Sequence, residues 1–574
     1  MIMLMVLSFL FFTFLVGVFT YLKTKGDNLT TNEGYFLGGR SLTGPFIAGS
    51  LMLTNLSPAN FSGMSAQAYI NNMSVMGWEV CSGITLVLVA MFLVPRYLKG
   101  GLTTIPEFLE ERFDSGVKEF VTYLFLISYI LSALPPTLYA GALVLSQLFN
   151  ISELLGISYT ASIWITVWAI GIIGAVYAIF GGLKAVAFSD TLNGIGLIIG
   201  GLSVPFLGFR YVGNGNFFQG VIKVIESHPE KFNAIGSNGD LLPFSTLFTG
   251  MILVNLYYWG TDQGVIQRAL GAKNLKEGQK GVMIAGVFKI LTPLIVIIPG
   301  IIGYHIYGDK ISDADLIYSH LIRDLMPNYF LGFFAAVMFG AVLSSYNSVL
   351  NSASTLFSLN IYKPKFGKNK SDLEIVNKGK VFGLIVAFVS MFIAPLIMNA
   401  PNGLFQYLQT VNGFFSVPIF TIIFIGYTTK KVPSIAAKIS LIVFVSLYAL
   451  LQLVIKPNLH FLHQLAILFL LCCILMLAIG RKFPRKEPFI LKNKNVVELT
   501  PWKFQYEVAI GIVAFMISFY LIFSKLGIVT QNYSNLKNYL IALWSCVGVI
   551  ICFVRKERLK KIKIKNIKII QGEF

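Results

Sequence analysis

The sequence predicts an all-α polytopic membrane protein, and three observations carry that reading. Of its 574 residues, 55% are hydrophobic and only 12% are charged, about half the charged share of an ordinary soluble chain. The apolar residues fall in runs of roughly 20, the length a helix needs to cross about 30 Å of hydrocarbon. The Lys and Arg residues gather in the connections between those runs, in alternating abundance and scarcity. A net charge of +19 suits a nucleic-acid binder only where the basic residues share one face of a soluble domain. Here they do not, so the sequence points to the lipid bilayer as partner and away from nucleic acid.

About 15 transmembrane helices follow from the apolar runs: 2–22, 44–70, 74–98, 118–148, 158–180, 185–210, 244–267, 281–304, 328–358, 381–399, 403–428, 434–455, 461–480, 505–525 and 536–553. The first run has no basic residue before it, and Lys23 and Lys25 directly after it. A secretory signal has the opposite charge order and a shorter core, so 2–22 reads as a span with its N-terminus outside. That direction is tested by counting Lys and Arg in the loops and adjoining helix ends. The loops after odd-numbered helices, with the C-terminal tail, hold 36 of the 45, the other loops hold 8, and Lys289 stands alone within a helix. Cytoplasmic loops collect basic residues. The expectation is an integral protein of the plasma (inner) membrane, N-terminus extracytoplasmic, C-terminus cytoplasmic. The basic tail, 554–574, then meets the cytoplasmic leaflet, as a topology anchor or an attachment to anionic lipid.

Other classes fall away. The longest polar connections, near 211–243 and 482–504, are too short for a soluble enzyme module. A membrane-embedded transferase would need a catalytic acid or nucleophile at a membrane face beside a sizeable loop. Cys81, Cys472, Cys473, Cys546 and Cys552 all lie in apolar runs without CxxC spacing, where free Cys acts as a small hydrophobe. No enzyme, disulfide framework or organic cofactor is predicted.

In the middle of the chain four ionisable residues lie within or at the edge of spans: Glu79, Asp190, Asp262 and Lys289. Each charge costs at least about 2.5–3.5 kcal/mol near the bilayer centre unless a partner or a watery cavity receives it. Glu79 and Lys289 could form a structural pair or line a pathway. Asp190 and Asp262 lie nearer a cytoplasmic end. In the second helix, Pro58 lacks an N–H and disfavours helical geometry at Ser57. Carbonyls around Leu53 and Leu56 should thereby become free ligands, in a simple kink or in a break facing a cavity. The ninth helix carries Ser344, Ser345, Ser348, Asn351, Ser352 and Thr355 on one face. Such a stripe permits close packing or, with free carbonyls, offers the several oxygens a hard cation wants. The seventh helix offers Asn255, Tyr257, Tyr258, Trp259 and Gln263 around Gly260, and the eleventh offers Gln406, Gln409 and Asn412. Amides suit the hydroxyls of a neutral polyhydroxylated solute, and rings suit its apolar face.

Five segments carry a resemblance: 34–42 (GYFLGGRSL), 104–108 (TIPEF), 177–190 (YAIFGGLKAVAFSD), 255–268 (NLYYWGTDQGVIQR) and 351–362 (NSASTLFSLNIY). Through them, over about residues 5–525, the chain resembles the solute:sodium symporter family, and within it the sodium/glucose cotransporter branch. The resemblance implies a LeuT-type core of two inverted five-helix repeats, 44–210 and 244–428. They would be flanked by an extra first helix and loop (1–43) and by peripheral helices (434–553). Paired interrupted helices at Pro58 and Gly260 agree with a midplane site. It further implies Na⁺ as coupling ion, held by the carbonyls of Leu53, Leu56 and Ala341 and the hydroxyls of Ser344 and Ser345. A small sugar-like solute would be held by Asn60, Glu79, Asn255, Lys289 and Gln409, with Tyr258 as inner gate and Asp190 on the cytoplasmic ion path. Three positions depart from the pattern: Asn60 stands where sugar-transporting relatives usually have Gln, Asp262 for a common Asn, and Asn193 for a common Gln. The implied activity is sodium-driven import of a sugar or similar neutral solute. An amino acid or carboxylate cargo is the alternative, though an anion would favour an added cation near Lys289, where Glu79 stands instead.

Overall fold

A computed structural model describes residues 2–27, 29–399 and 404–570. Thirteen of its helices are long and apolar enough to cross a membrane: α1 (Met3–Thr24), α3 (Met73–Lys99), α4 (Ser115–Leu148), α5 (Tyr159–Ala178), α6 (Gly182–Val212), α8 (Leu275–Tyr307), α9 (Phe330–Phe366), α10 (Asp372–Met398), α11 (Leu408–Thr428), α12 (Ser434–Ile455), α13 (Phe461–Lys482), α14 (Gln505–Ile522) and α15 (Tyr533–Arg558). The two remaining predicted spans are present but divided. One is α2a (Gly44–Asn55) and α2b (Pro58–Ile70); the other is α7a (Gly250–Gly260) and α7b (Gln263–Leu270). Each half is too short to span alone. The start of the predicted eleventh helix, at 403, and the last residues of the basic tail, 571–574, lie outside the described residues. Among the described residues no strand forms; the only β pairing is an isolated bridge between Leu42 and Ala272.

The bundle is organised around α9. Gly141 of α4, Gly174 of α5 and Gly196 of α6 each turn a bare Cα toward it. A Cβ there would come within 2.5 Å of Val342, 2.7 Å of Tyr346 and 2.8 Å of Val337. Small residues at such crossings let backbones meet closely where lipid offers no hydrophobic drive to helix association. The serine-rich face of α9 is thereby placed at the centre, while α15 leaves nearly all its apolar length exposed. The chain turns between α5 and α6 at Gly182 (φ 61°, ψ −178°), a conformation essentially closed to residues with a side chain.

Candidate solute and ion site

The site begins at the break in α2. In an unbroken helix the N–H of residue 58 would reach Thr54 O, but Pro58 has none. Ser57 N–H, which would reach Leu53 O, turns to Asn55 O at 2.9 Å, and Asn60 N–H turns from Leu56 O to Ser57 O, also 2.9 Å. Leu53, Thr54 and Leu56 thus lose their helical donors while Leu53 and Leu56 stay buried. The sequence predicts free carbonyls around Leu53 and Leu56. The structure adds Thr54 O and gives it a new donor, the Ser345 hydroxyl at 2.9 Å. A hydroxyl that donates its proton to a carbonyl keeps its lone pairs for a cation.

Around this break α2, α6, α7b and α9 are tied by one polar network. Ser348 Oγ donates to Ser344 O at 2.5 Å and shares a hydrogen bond with Thr54 Oγ1 at 3.1 Å. Ser50 Oγ donates to Asp190 Oδ2 at 2.5 Å and accepts from Arg268 Nε at 3.0 Å. Arg268 also donates to Ser348 Oγ and to Gly264 O. Two buried oxygens of this network, Ser344 Oγ and Asp190 Oδ1, have no hydrogen-bond partner within 3.5 Å. Unpaired buried oxygens beside free carbonyls are the donor set of a hard-cation site. Ala341 lies fully buried one turn before Ser344 and Ser345. These two serines point to different spaces: Ser345 lines the central cavity, whereas Ser344 borders a second, largely apolar cavity of about 390 Å³ with Asn193 and Gly340.

The central cavity, of about 240 Å³, is lined by residues of α2, α3, α4, α7, α9 and α11. It brings together Asn60, Glu79, Asn255, Tyr258 and Gln409, along with Asp262 and Ser345. Lys289 is not among its lining residues. It lies fully buried behind the wall, where its ammonium donates to Glu79 Oε2 and, at 2.5 Å, to Asn55 Oδ1. The Trp259 ring adds a cation–π contact at 5.6 Å. Lys289 is thus brought to the site through Glu79 rather than facing the cavity itself. Asn255 is oriented on both sides, accepting from Ser82 Oγ at 2.7 Å and donating to Met251 O at 3.1 Å. Asn60 is held loosely, by Ser57 Oγ at 3.5 Å. Asp190 stays outside the cavity and joins the polar network of Ser50 and Arg268 instead.

Arg268 is the functional-looking residue that sequence reasoning missed. The predicted seventh helix stops at 267, so the sequence reads Arg268 as a loop cation, yet it is fully buried. The usable signal was its place in NLYYWGTDQGVIQR, two turns beyond the Gly260 interruption.

The architecture is shared with known transporters. The solved structure of a Na⁺-coupled sialic acid symporter in a substrate-bound outward-open state overlays with a TM-score of 0.70 at 21% identity, over 84% of this chain and 98% of that one. That likeness shows the fold. The sequence model of the sodium:solute symporter family matches residues 35–443. The chain belongs to the sodium:solute symporter family. Among its members, the symporter YidK of Escherichia coli is 44% identical over 94% of each chain. The sodium/glucose cotransporter of Vibrio parahaemolyticus is 30% identical over 74% of this chain and 80% of its own. The protein is accordingly a membrane transporter of this symporter family, not an enzyme.

Proposed function

We propose that this sodium:solute symporter imports a neutral, sugar-like solute by alternating access, driven by sodium. The observation that carries the reading is Ser345, whose hydroxyl lines the solute cavity and donates to a carbonyl freed by the α2 break. Ion and solute would share a wall, so occupancy of one shapes the other. Sodium would be held by Leu53 O, Leu56 O, Ala341 O, Ser344 Oγ and Ser345 Oγ, with Asp190 on its exit path. The solute would meet Asn60, Glu79, Asn255 and Gln409, with Tyr258 as inner gate and Lys289 acting through Glu79. Because Lys289 is neutralised by Glu79, an anionic cargo finds no free cation there, which disfavours amino acids and carboxylates. The reading also takes 44–210 and 244–428 as the inverted repeats, 1–43 and 434–553 as flanking parts, and 554–574 as a cytoplasmic tail. The skew of Lys and Arg supports an outside N-terminus.

One charge moving inward through 100 mV releases about 2.3 kcal/mol, and a tenfold sodium gradient adds about 1.4 kcal/mol. Together these support roughly 500-fold accumulation at one ion per solute. The test is uptake into proteoliposomes under an imposed sodium gradient, across labelled sugars, polyols, amino acids and carboxylates. We expect sodium-dependent, voltage-stimulated uptake of a neutral polyhydroxylated compound. Uptake confined to carboxylates, or indifferent to sodium, would overturn the reading.

A further inference from the structure

Asp262 is the ionisable residue of the cavity that the proposed cycle leaves unused. It lies between the halves of α7, with its side chain capping the N-terminus of α7b. Its carboxylate takes three hydrogen bonds, all from neutral donors. Oδ1 accepts from Gly264 N–H at 2.7 Å and from Tyr129 OH at 3.1 Å, and Oδ2 accepts from Tyr257 OH at 3.2 Å. Tyr257 belongs to α7a, Gly264 to α7b and Tyr129 to α4. Tyr129 OH in turn accepts from Gly264 N–H at 2.8 Å. One carboxylate and one hydroxyl therefore bind three rigid pieces in register.

The rest of the break does not supply that link. Tyr257 O gathers Thr261 N–H at 2.7 Å, Asp262 N–H at 2.8 Å and Thr261 Oγ1 at 2.9 Å, which closes α7a without reaching α7b. On the facing side, α4 widens into a π-turn over Tyr129–Ala133, just before Pro135 and Pro136 remove two backbone N–H donors from the next turn. Single π-turns recur at functional positions. A carboxylate suits the role because it accepts from all three donors. An amide has one oxygen and a donating NH₂, so one of the three contacts must be lost or reversed.

We propose that Asp262 is a latch, a positioning residue that holds α7b against α4 through Tyr129 and keeps the cavity closed on the side of the basic loops. The inference rests on the transport reading above: release of Tyr129 parts α7b from α4, while the ties of α7b to α2 and α9 through Arg268 persist, and opens the cavity toward the cytoplasm. Asp262 then governs when solute leaves, not how tightly it is held.

The test reads accessibility, with no cargo present. Val265, beside the latch in the cavity wall, becomes Cys in a background whose five native cysteines are replaced. Labelling by a membrane-impermeant maleimide is then timed from the cytoplasmic face of inside-out vesicles and from the outer face of whole cells. Tyr129→Phe, which deletes a single oxygen, and Asp262→Ala, which removes both acceptor oxygens, should each quicken cytoplasmic labelling at least about tenfold, the effect of one or two lost hydrogen bonds, and leave outer labelling unchanged. Rates equal to the parent in both variants would overturn the latch. So would equal acceleration from both faces, which marks loosened packing. Failure of sodium-dependent uptake would sink the transport reading while leaving this labelling result intact.

Discussion

The two interrupted helices are broken by different means. In α2 the interruption is covalent: Pro58 has no N–H, and carbonyls on the preceding turn lose their donors whatever the rest of the protein does. In α7 no proline is present between Gly250 and Leu270. Its break is held by side chains, Thr261 and Asp262 from the chain itself and Tyr129 from α4. A break written into the backbone keeps one shape and suits an oxygen cage for an ion. A break held by hydrogen bonds worth about 1 kcal/mol each can be remade within a cycle and suits a gate. The molecule thus sets a break fixed by its backbone and a break held by side chains beside one cavity.

The largest effect should come from unbalancing the cavity's buried charge. Lys289 grips both Glu79 and Asn55 at the α2 break, so Lys289→Met strands a buried carboxylate at a cost of about 3–5 kcal/mol. Little folded protein should reach the membrane, as measured by fluorescence-detected gel filtration. The Glu79→Gln, Lys289→Met pair should recover folding but not uptake; uptake near the wild-type rate would reduce the pair to a packing device. Next, Pro58→Ala gives Thr54 O back a helical donor. It should raise the sodium concentration for half-maximal uptake at least about tenfold without changing labelling at Val265→Cys. A change at both places would erase the distinction between the two breaks. The smallest effect is expected at Asn60. Its amide stops about 1.5 Å short of a Gln amide, beyond the range of a hydrogen bond to a solute in the relatives' pose. Asn60→Gln should shift preference within the sugar panel by a few-fold while total uptake stays near wild type. Unchanged selectivity would mean that Asn60 does not read the solute.

Much of this was legible in the sequence because it is local. Hydropathy gives the spans, Pro58 announces the first break, and Gly260 marks the neighbourhood of the second. What escaped is joined across the chain. Ser345 meets Thr54 over 291 residues, and Tyr129 meets Asp262 over 133, with no local pattern to foretell either contact. Arg268 escaped for a different reason: it stands one residue past the predicted end of a helix, where an arginine reads as a loop cation. Lys289 was found by its cost in a membrane, but that argument does not say whether it faces a cavity or stands behind it. The divergence of Ser344 and Ser345 likewise depends on which neighbours fill the space around α9.

The central claim is that the α2 break and Ser345 couple ion to solute. Once the uptake panel names a cargo, its dissociation constant should be measured by calorimetry in sodium and in choline, for the wild type and for Ser345→Ala. Coupling is reciprocal, so a sodium effect on solute affinity reports the shared site directly. We expect the wild type to bind at least about tenfold tighter in sodium, and Ser345→Ala to keep its choline affinity while losing most of that gain. A Ser345→Ala protein that retains the full sodium effect would contradict the account.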